Sequence, residues 1–199
     1  MRGAWVIRED ASRAVLLALY LRHVLCLRGP ADLPSLRGMT AASTARDDAE
    51  RAALEREWMA FWAMTVEPQA HPSPVPLELV DGFDTLVALP ARGAEHLRRE
   101  IVPHAAAAIA FADRAHESYR HLASASPGAS YRAYASAIAE HERQVGRRAH
   151  AFELNVQVLP LSQRGVWWIG ALTVAVTDGL RGDVSAFDAA IHPIIAELA

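Results

Sequence analysis

The pattern of apolar and polar side chains changes at Phe152, and this change limits the possible folds more than any other feature of the chain. From Phe152 to Val158 apolar and polar residues alternate, which is typical of a β-strand with one buried face. After a turn at 159–165, the stretch 166–177 is rich in Trp, Ile, Val and Thr without alternation, which indicates a strand buried on both faces. The two segments predict an antiparallel β-hairpin, with strands at about 152–161 and 166–177.

Most of the remaining chain carries helical signals. Capping residues and apolar periodicity predict helices over about 11–28, from 43 or 44 to about 66, 93–123, 130–150 and 184–198. A hairpin is marginally stable by itself, so it needs these helices, or further strands at 3–7 or 85–89, to complete a core. We therefore predict a mostly helical α+β fold with four to five helices, a small sheet around the hairpin and a terminal helix.

Prolines interrupt the helical signals in the segment 67–76. Four prolines exclude a helix there and favour an extended path. Such a segment serves as a domain linker, a partner-binding strip or a long surface loop. Because the chain has 199 residues and only about 66 of them precede the prolines, we predict one globular domain over 1–199 with 67–76 as an internal connection.

Composition excludes several classes of function. All 20 basic residues are arginine, and the lack of lysine excludes a P-loop, a pyridoxal-phosphate Schiff base and an SxxK acylation centre. The single cysteine, Cys26, excludes intramolecular disulfides, cysteine-based zinc sites and iron–sulfur clusters. A net charge of −3 argues against a nucleic-acid partner. The apolar run 14–21 is far shorter than the roughly 20 residues of a membrane span, so we expect a soluble, cytoplasmic protein without a membrane partner.

Two apolar features favour a function in binding. The segment 15–21 is apolar on every side, as in a central helix or a helix that faces a partner chain. Trp167 and Trp168 are adjacent, and neither a GxGxxG nor a GxSxG signature is present. We therefore predict a non-enzymatic interaction or binding protein without a cofactor, self-associating or bound to another protein.

The nine histidines raise the question of a metal site. His116 and His121 resemble a metalloprotease motif, but they are five residues apart and do not share a helix face. His96, Glu100 and His104 are spaced by four, yet a proline directly before His104 interrupts the helix they require. We therefore predict no metal site.

An alternative function is that of a small-molecule enzyme or metal-binding protein that uses a cluster of histidine and glutamate. The candidate catalytic residues are His116, Glu117, His141, Glu142 and His150. His141 falls on the apolar stripe of its predicted helix, where the other interpretation is a core histidine with hydrogen-bonded ring nitrogens. A pH-responsive module is a third hypothesis, since nine imidazoles change charge near their ordinary pKa of about 6.5.

Three arginines at the end of that same predicted helix are candidates for binding an unknown small-molecule ligand. Arg143, Arg147 and Arg148 carry planar guanidinium groups, which suit a carboxylate or phosphate. The alternative is that they only complement the negative end of the helix dipole.

Overall fold

The computed structural model describes residues 5–39, 47–125 and 128–199. The contacts between residues divide the chain into two compact units. The residues up to Asp10 together with Ser118–Ala199 form the first, which we call the sheet unit, and Ala11–Glu117 form the second, the helical unit. The fold is α+β, as predicted, while the single domain over 1–199 stays a prediction.

The elements follow one another as β1 (Val6–Asp10), α1 (Arg13–Val24), α2 (Asp48–Val66), β2 (Leu77–Leu79), β3 (Ala88–Pro90), α3 (Glu95–Ile101), α4 (Ala105–Ala125), α5 (Ala129–Val145), β4 (Glu153–Leu159), β5 (Val166–Trp168), β6 (Thr173–Thr177), α6 (Asp178–Arg181) and α7 (Val184–Leu198). A 3-10 turn at Val102–His104 joins α3 to α4.

The sheet unit contains a mixed four-stranded sheet with the order β1-β4-β6-β5. β1 and β6 both run parallel to β4, with Val6 opposite Glu153 and Asn155 opposite Thr173. β5 is antiparallel to β6 and forms one edge. All five residues of β6 are buried, and β4 buries alternate residues, as the two sequence patterns predicted.

The predicted antiparallel hairpin between 152–161 and 166–177 is wrong, because β4 lies parallel to β6. A tight turn divides the second predicted strand. The backbone N–H groups of Ile169 and Gly170 both donate to the carbonyl oxygen of Thr173, at 2.9 and 3.1 Å. The chain therefore reverses inside 166–177, and β6 returns between β4 and β5.

The two further strands predicted at 3–7 and 85–89 belong to different sheets. The predicted strand 3–7, whose residues 3 and 4 lie outside the described residues, overlaps β1 at Val6 and Ile7, and β1 joins the four-stranded sheet. The predicted strand 85–89 does not, because β3 pairs with β2 in a separate two-stranded sheet.

α5 and α7 pack against each other beside the sheet. The N-terminal cap of α7 is Asp183, whose Oδ1 accepts a hydrogen bond from the Ala186 N–H at 3.1 Å, as the capping pattern predicted. α5 spans Ala129–Val145 and is shorter than the predicted 130–150. Tyr131 and Val145 lie in its first and last turns, and both are exposed.

α1 is a central helix of the helical unit. It ends at Val24, before the predicted end at 28, and six of the seven residues from Val15 to Leu21 are buried. Tyr20 is half-buried, and its ring contacts that of Phe111 with centroids 5.3 Å apart. This burial favours the core interpretation of the apolar run over a partner-facing surface. Within the described residues, no helix has both the length and the apolar content of a membrane span.

α2 supplies the aromatic part of the same core. Its N-terminal cap is Asp47, which accepts a hydrogen bond from the Glu50 N–H at 2.7 Å, whereas the predicted start at 43 or 44 lies outside the described residues. Leu54, Trp58, Phe61 and Trp62 are buried on one side of this helix. The break predicted at Pro103 is present as the 3-10 turn between α3 and α4.

Candidate functional site

A cavity of about 230 Å³ lies in the helical unit, where α1 ends. The second half of α1 and the segment that follows it supply the walls. The lining combines four apolar side chains with a guanidinium, an imidazole, a thiol and a hydroxyl: Leu19, Arg22, His23, Cys26, Leu27, Pro34, Ser35 and Leu36.

The end of α1 shapes one wall of this cavity. The Cys26 N–H donates to the His23 carbonyl at 3.0 Å, and the Leu27 N–H donates to the Arg22 carbonyl at 2.9 Å. These two bonds form a Schellman motif, in which the residue after the cap adopts the left-handed conformation that normally favours glycine. Cys26 occupies that position with a φ of 57°. The turn therefore brings Cys26 and Leu27 beside the residues of the last helical turn.

Arg22 fixes the segment that follows the turn. Its guanidinium donates to the carbonyl oxygens of Leu33 at 3.0 Å and Pro30 at 3.1 Å. From α2, Glu55 Oε1 accepts hydrogen bonds from the N–H groups of Arg28 and Gly29 at 2.8 and 2.7 Å. The segment is therefore held by a cation on its carbonyl groups and by a carboxylate on its N–H groups.

The charge on Arg22 is only partly compensated. Burial lowers the pKa of the Arg22 guanidinium, and the nearby negative charge of Glu55 opposes this effect. Within the described residues, the hydrogen bonds of the Arg22 side chain all go to backbone carbonyl oxygens and none to a carboxylate. An arginine keeps its charge in proteins, so the cavity wall carries a cation suited to an anionic group.

The sheet unit contains a buried polar network around Glu9. Glu9 Oε1 accepts from Arg181 Nε at 3.0 Å, and Glu9 Oε2 accepts from the Tyr134 hydroxyl at 2.8 Å. The Tyr119 hydroxyl donates to the Glu9 carbonyl oxygen at 3.1 Å. The side chains of Arg181 and Glu9 are only 4% and 11% exposed. The network therefore connects β1 to α4, α5 and α6 within this unit.

The two tyrosines are held as neutral donors. Burial, together with the negative charge of Glu9, raises the pKa of Tyr119 to about 12. The same two causes raise the pKa of Tyr134 further. Since the Glu9 carboxylate accepts from both Arg181 and Tyr134 inside this unit, we interpret the network as structural.

Two of the candidate catalytic residues, His116 and Glu117, lie in the helical unit. His116 Nδ1 donates to the Ala11 carbonyl at 2.8 Å, and Glu117 is exposed. His96 and Glu100 lie on α3, whereas His104 lies in the 3-10 turn. Over the three described ranges, no group of three or more His, Cys, Asp or Glu side chains is arranged to hold a metal ion.

The other predicted catalytic residues belong to the sheet unit. His141 is buried on α5, and its Nε2 has no hydrogen-bond partner among the described residues. Glu142 Oε1 accepts from the Ala149 N–H at 2.9 Å, while His150 is exposed. The partners of His116 and Glu142 are backbone groups, which favours structural roles, and catalysis by these five residues stays a prediction.

The three candidate ligand-binding arginines are exposed. Arg143 forms an ion pair with Glu140 on α5. Arg147 and Arg148 were predicted in the last helical turns, but α5 ends at Val145 and both residues follow it. Their role in binding a carboxylate or phosphate stays a prediction.

Comparison with protein-family models, curated proteins and solved structures finds no match for this chain. The cavity was not predicted from the sequence, which drew attention to Cys26 only as a lone thiol. A sequence signal for it is the pair Arg22-His23, which ends the apolar run 14–21.

Proposed function

We propose that this protein is a binding protein, and that the cavity beside α1 takes a small organic anion with an apolar body. The observation that carries the proposal is the position of Arg22 on the cavity wall. Its cation is half-buried and bonded only to carbonyl groups within the described part of the chain. A carboxylate gains most from such a partner because charge-assisted hydrogen bonds are about twice as strong as neutral ones.

The rest of the lining defines the ligand class further. Leu19, Leu27 and Leu36 supply an apolar wall, and His23 and Ser35 add hydrogen-bonding groups. Pockets for drug-sized ligands measure about 300–1,000 Å³, so a volume of about 230 Å³ fits a smaller molecule. We expect a single ring or short acyl chain that carries one acidic group.

Calorimetric titration with benzoate tests this proposal. We expect Arg22→Met to weaken binding about 10- to 100-fold, because a hydrogen bond to a charged group contributes about 1.5–3 kcal/mol. The matched control is Arg92→Met, which removes an exposed arginine of the same unit. Equal affinity of the two variants would contradict the proposal.

Arg22 also holds the segment that follows α1, so Arg22→Met changes the shape of the cavity wall as well as its charge. A measurement on the wild-type protein separates these two effects. Benzamide has the shape of benzoate without its charge, and we expect the wild-type protein to prefer benzoate by at least tenfold. Ser35→Ala provides a milder change of the same wall. Benzamide binding as tightly as benzoate would show that the cavity does not select an anion.

Self-association is a second candidate function, favoured by an exposed apolar pair at the edge of the sheet. Trp168 lies on the edge strand β5, and Leu172 lies in the turn that follows; they are 37% and 43% exposed. Burying such side chains between two copies gains about 25 cal/mol for each Å² of apolar surface. The partner that we propose for this face is a second copy of the chain.

Light scattering at micromolar concentration measures this self-association. We expect a dimer mass that persists in high salt, since apolar contacts are not screened, and a monomer mass for the double variant Trp168→Ser/Leu172→Ser. The control is Leu77→Ser/Leu79→Ser on β2, whose two leucines are even more exposed. A strictly monomeric wild-type protein would rule out the dimer.

A further inference from the structure

The helical unit contains a histidine–carboxylate pair outside the cavity. His96 Nδ1 and Glu57 Oε1 are 2.7 Å apart, with His96 on α3 and Glu57 on α2. The other carboxylate oxygen, Glu57 Oε2, accepts a hydrogen bond from the Leu97 N–H, also at 2.7 Å. Both oxygens of Glu57 therefore have fixed partners, and the side chain is only 11% exposed.

This arrangement fixes the orientation of the imidazole ring. A carboxylate accepts hydrogen bonds, so it favours the ring form that carries its proton on Nδ1. The lone pair is then on Nε2, on the far side of the ring. The His96 side chain is 41% exposed, and within the described residues its ring has no hydrogen bond besides that to Glu57.

A small cavity adjoins this histidine. Its volume is about 10 Å³, and Glu50, Leu54, Arg99 and Glu100 complete its lining. That volume is close to the smallest that holds one water molecule. Arg99 Nε lies 3.3 Å from Glu100 Oε1 and its Nη2 lies 3.9 Å from Glu50 Oε1, so both lining carboxylates pair with this guanidinium. The pair of His96 and Glu57 thus has a space for one water molecule beside it.

We propose that Glu57 and His96 form a hydrolytic site that acts on small carboxylic esters. His96 Nε2 takes a proton from a water molecule while the water oxygen bonds to the acyl carbon. The tetrahedral intermediate then expels the alcohol oxygen, which takes the proton from His96. One ester and one water give one acid and one alcohol, and no other reactant is consumed. Glu57 is a positioning residue, because it acts through His96.

Release of p-nitrophenol from p-nitrophenyl acetate by the full-length protein tests this proposal. We expect His96→Gln to lower kcat/KM at least tenfold, since general base catalysis contributes about 10²- to 10⁴-fold. This variant leaves Glu57 in place to accept from Leu97, so the N-terminus of α3 keeps its partner. The matched control is His71→Gln, which removes an exposed histidine of the same unit and should leave the rate unchanged.

Glu57→Gln separates positioning from a merely structural role. We expect it to lower kcat and shift the pH profile of the reaction, while Glu57→Asp recovers part of the wild-type profile. A His96→Gln rate within threefold of wild type would overturn the proposal. An equal loss in His71→Gln would do the same, because the activity would then come from exposed imidazoles in general.

Discussion

Replacing Arg181 with methionine destabilises the sheet unit by about 3–5 kcal/mol, because it leaves the Glu9 carboxylate buried without its cation. Methionine fills much of the arginine volume, so the loss comes from the charge and not from a cavity. Hydrogen exchange of the β6 amides measures the effect, since these fully buried residues report the opening of the whole unit.

Arg8→Met is the matched control for this prediction. Arg8 and Glu153 also form an ion pair, at 2.8 Å, but both side chains are more than half exposed. An exposed pair contributes about 0–1 kcal/mol, so the control should have little effect. If both variants lowered stability equally, the buried network would not be the main support of the unit.

The second large effect is a loss of stability in alkaline solution. A phenol with a raised pKa holds its proton more tightly in the folded chain than in the unfolded one. The stabilisation is complete below about pH 10, the ordinary pKa of tyrosine, where both states are protonated. It is lost as the pH rises from about 10 through the folded pKa of Tyr119 at about 12, and the more strongly raised pKa of Tyr134 steepens the loss.

Urea unfolding between pH 8 and 12 measures this loss. The chain has no lysine, so the largest class of other groups that titrate in this range is missing. We expect Tyr134→Phe to be less stable at neutral pH, because Glu9 loses a donor, but to depend less on pH above 10. The exposed Tyr131 provides the control, and Tyr131→Phe should follow the wild-type curve. A Tyr134→Phe curve as steep as that of the wild type would contradict the prediction.

The sequence predicted elements well where a local pattern decided them. Alternation marked β4, continuous apolar character marked β6, and a capping residue marked the start of α7. These signals come from residues that are close together in sequence, so they can be read from one sequence alone.

Strand pairing was not predictable in the same way. The stretch 166–177 reads as one strand because its residues are apolar throughout, and the tight turn within it depends on hydrogen bonds to the Thr173 carbonyl. A turn inside an apolar run leaves no change of periodicity. The parallel pairing of β4 with β6 followed from that unseen turn.

The polar sites depend on contacts between residues that are distant in sequence. Glu9 and Arg181 are 172 residues apart, and Glu57 and His96 are 39 apart. Sequence motifs relate only residues that are close together in the chain, so they do not detect such pairs. The candidate sites predicted from the sequence therefore used histidines that are near one another in sequence. The cavity was missed for a different reason, since it depends on the left-handed conformation of Cys26 at a position that usually requires glycine.

NMR titration with benzoate shows directly whether the cavity beside α1 binds a small organic anion. We predict contacts between the benzoate ring and the methyl groups of Leu19, Leu27 and Leu36, with a shift of the Arg22 side-chain N–H signal. The exposed groove on α2 lined by Arg28, Arg51 and Arg56 is the internal comparison, because it also carries several cations. Shifts confined to that groove, with the leucine methyl signals unchanged, would contradict binding in the cavity.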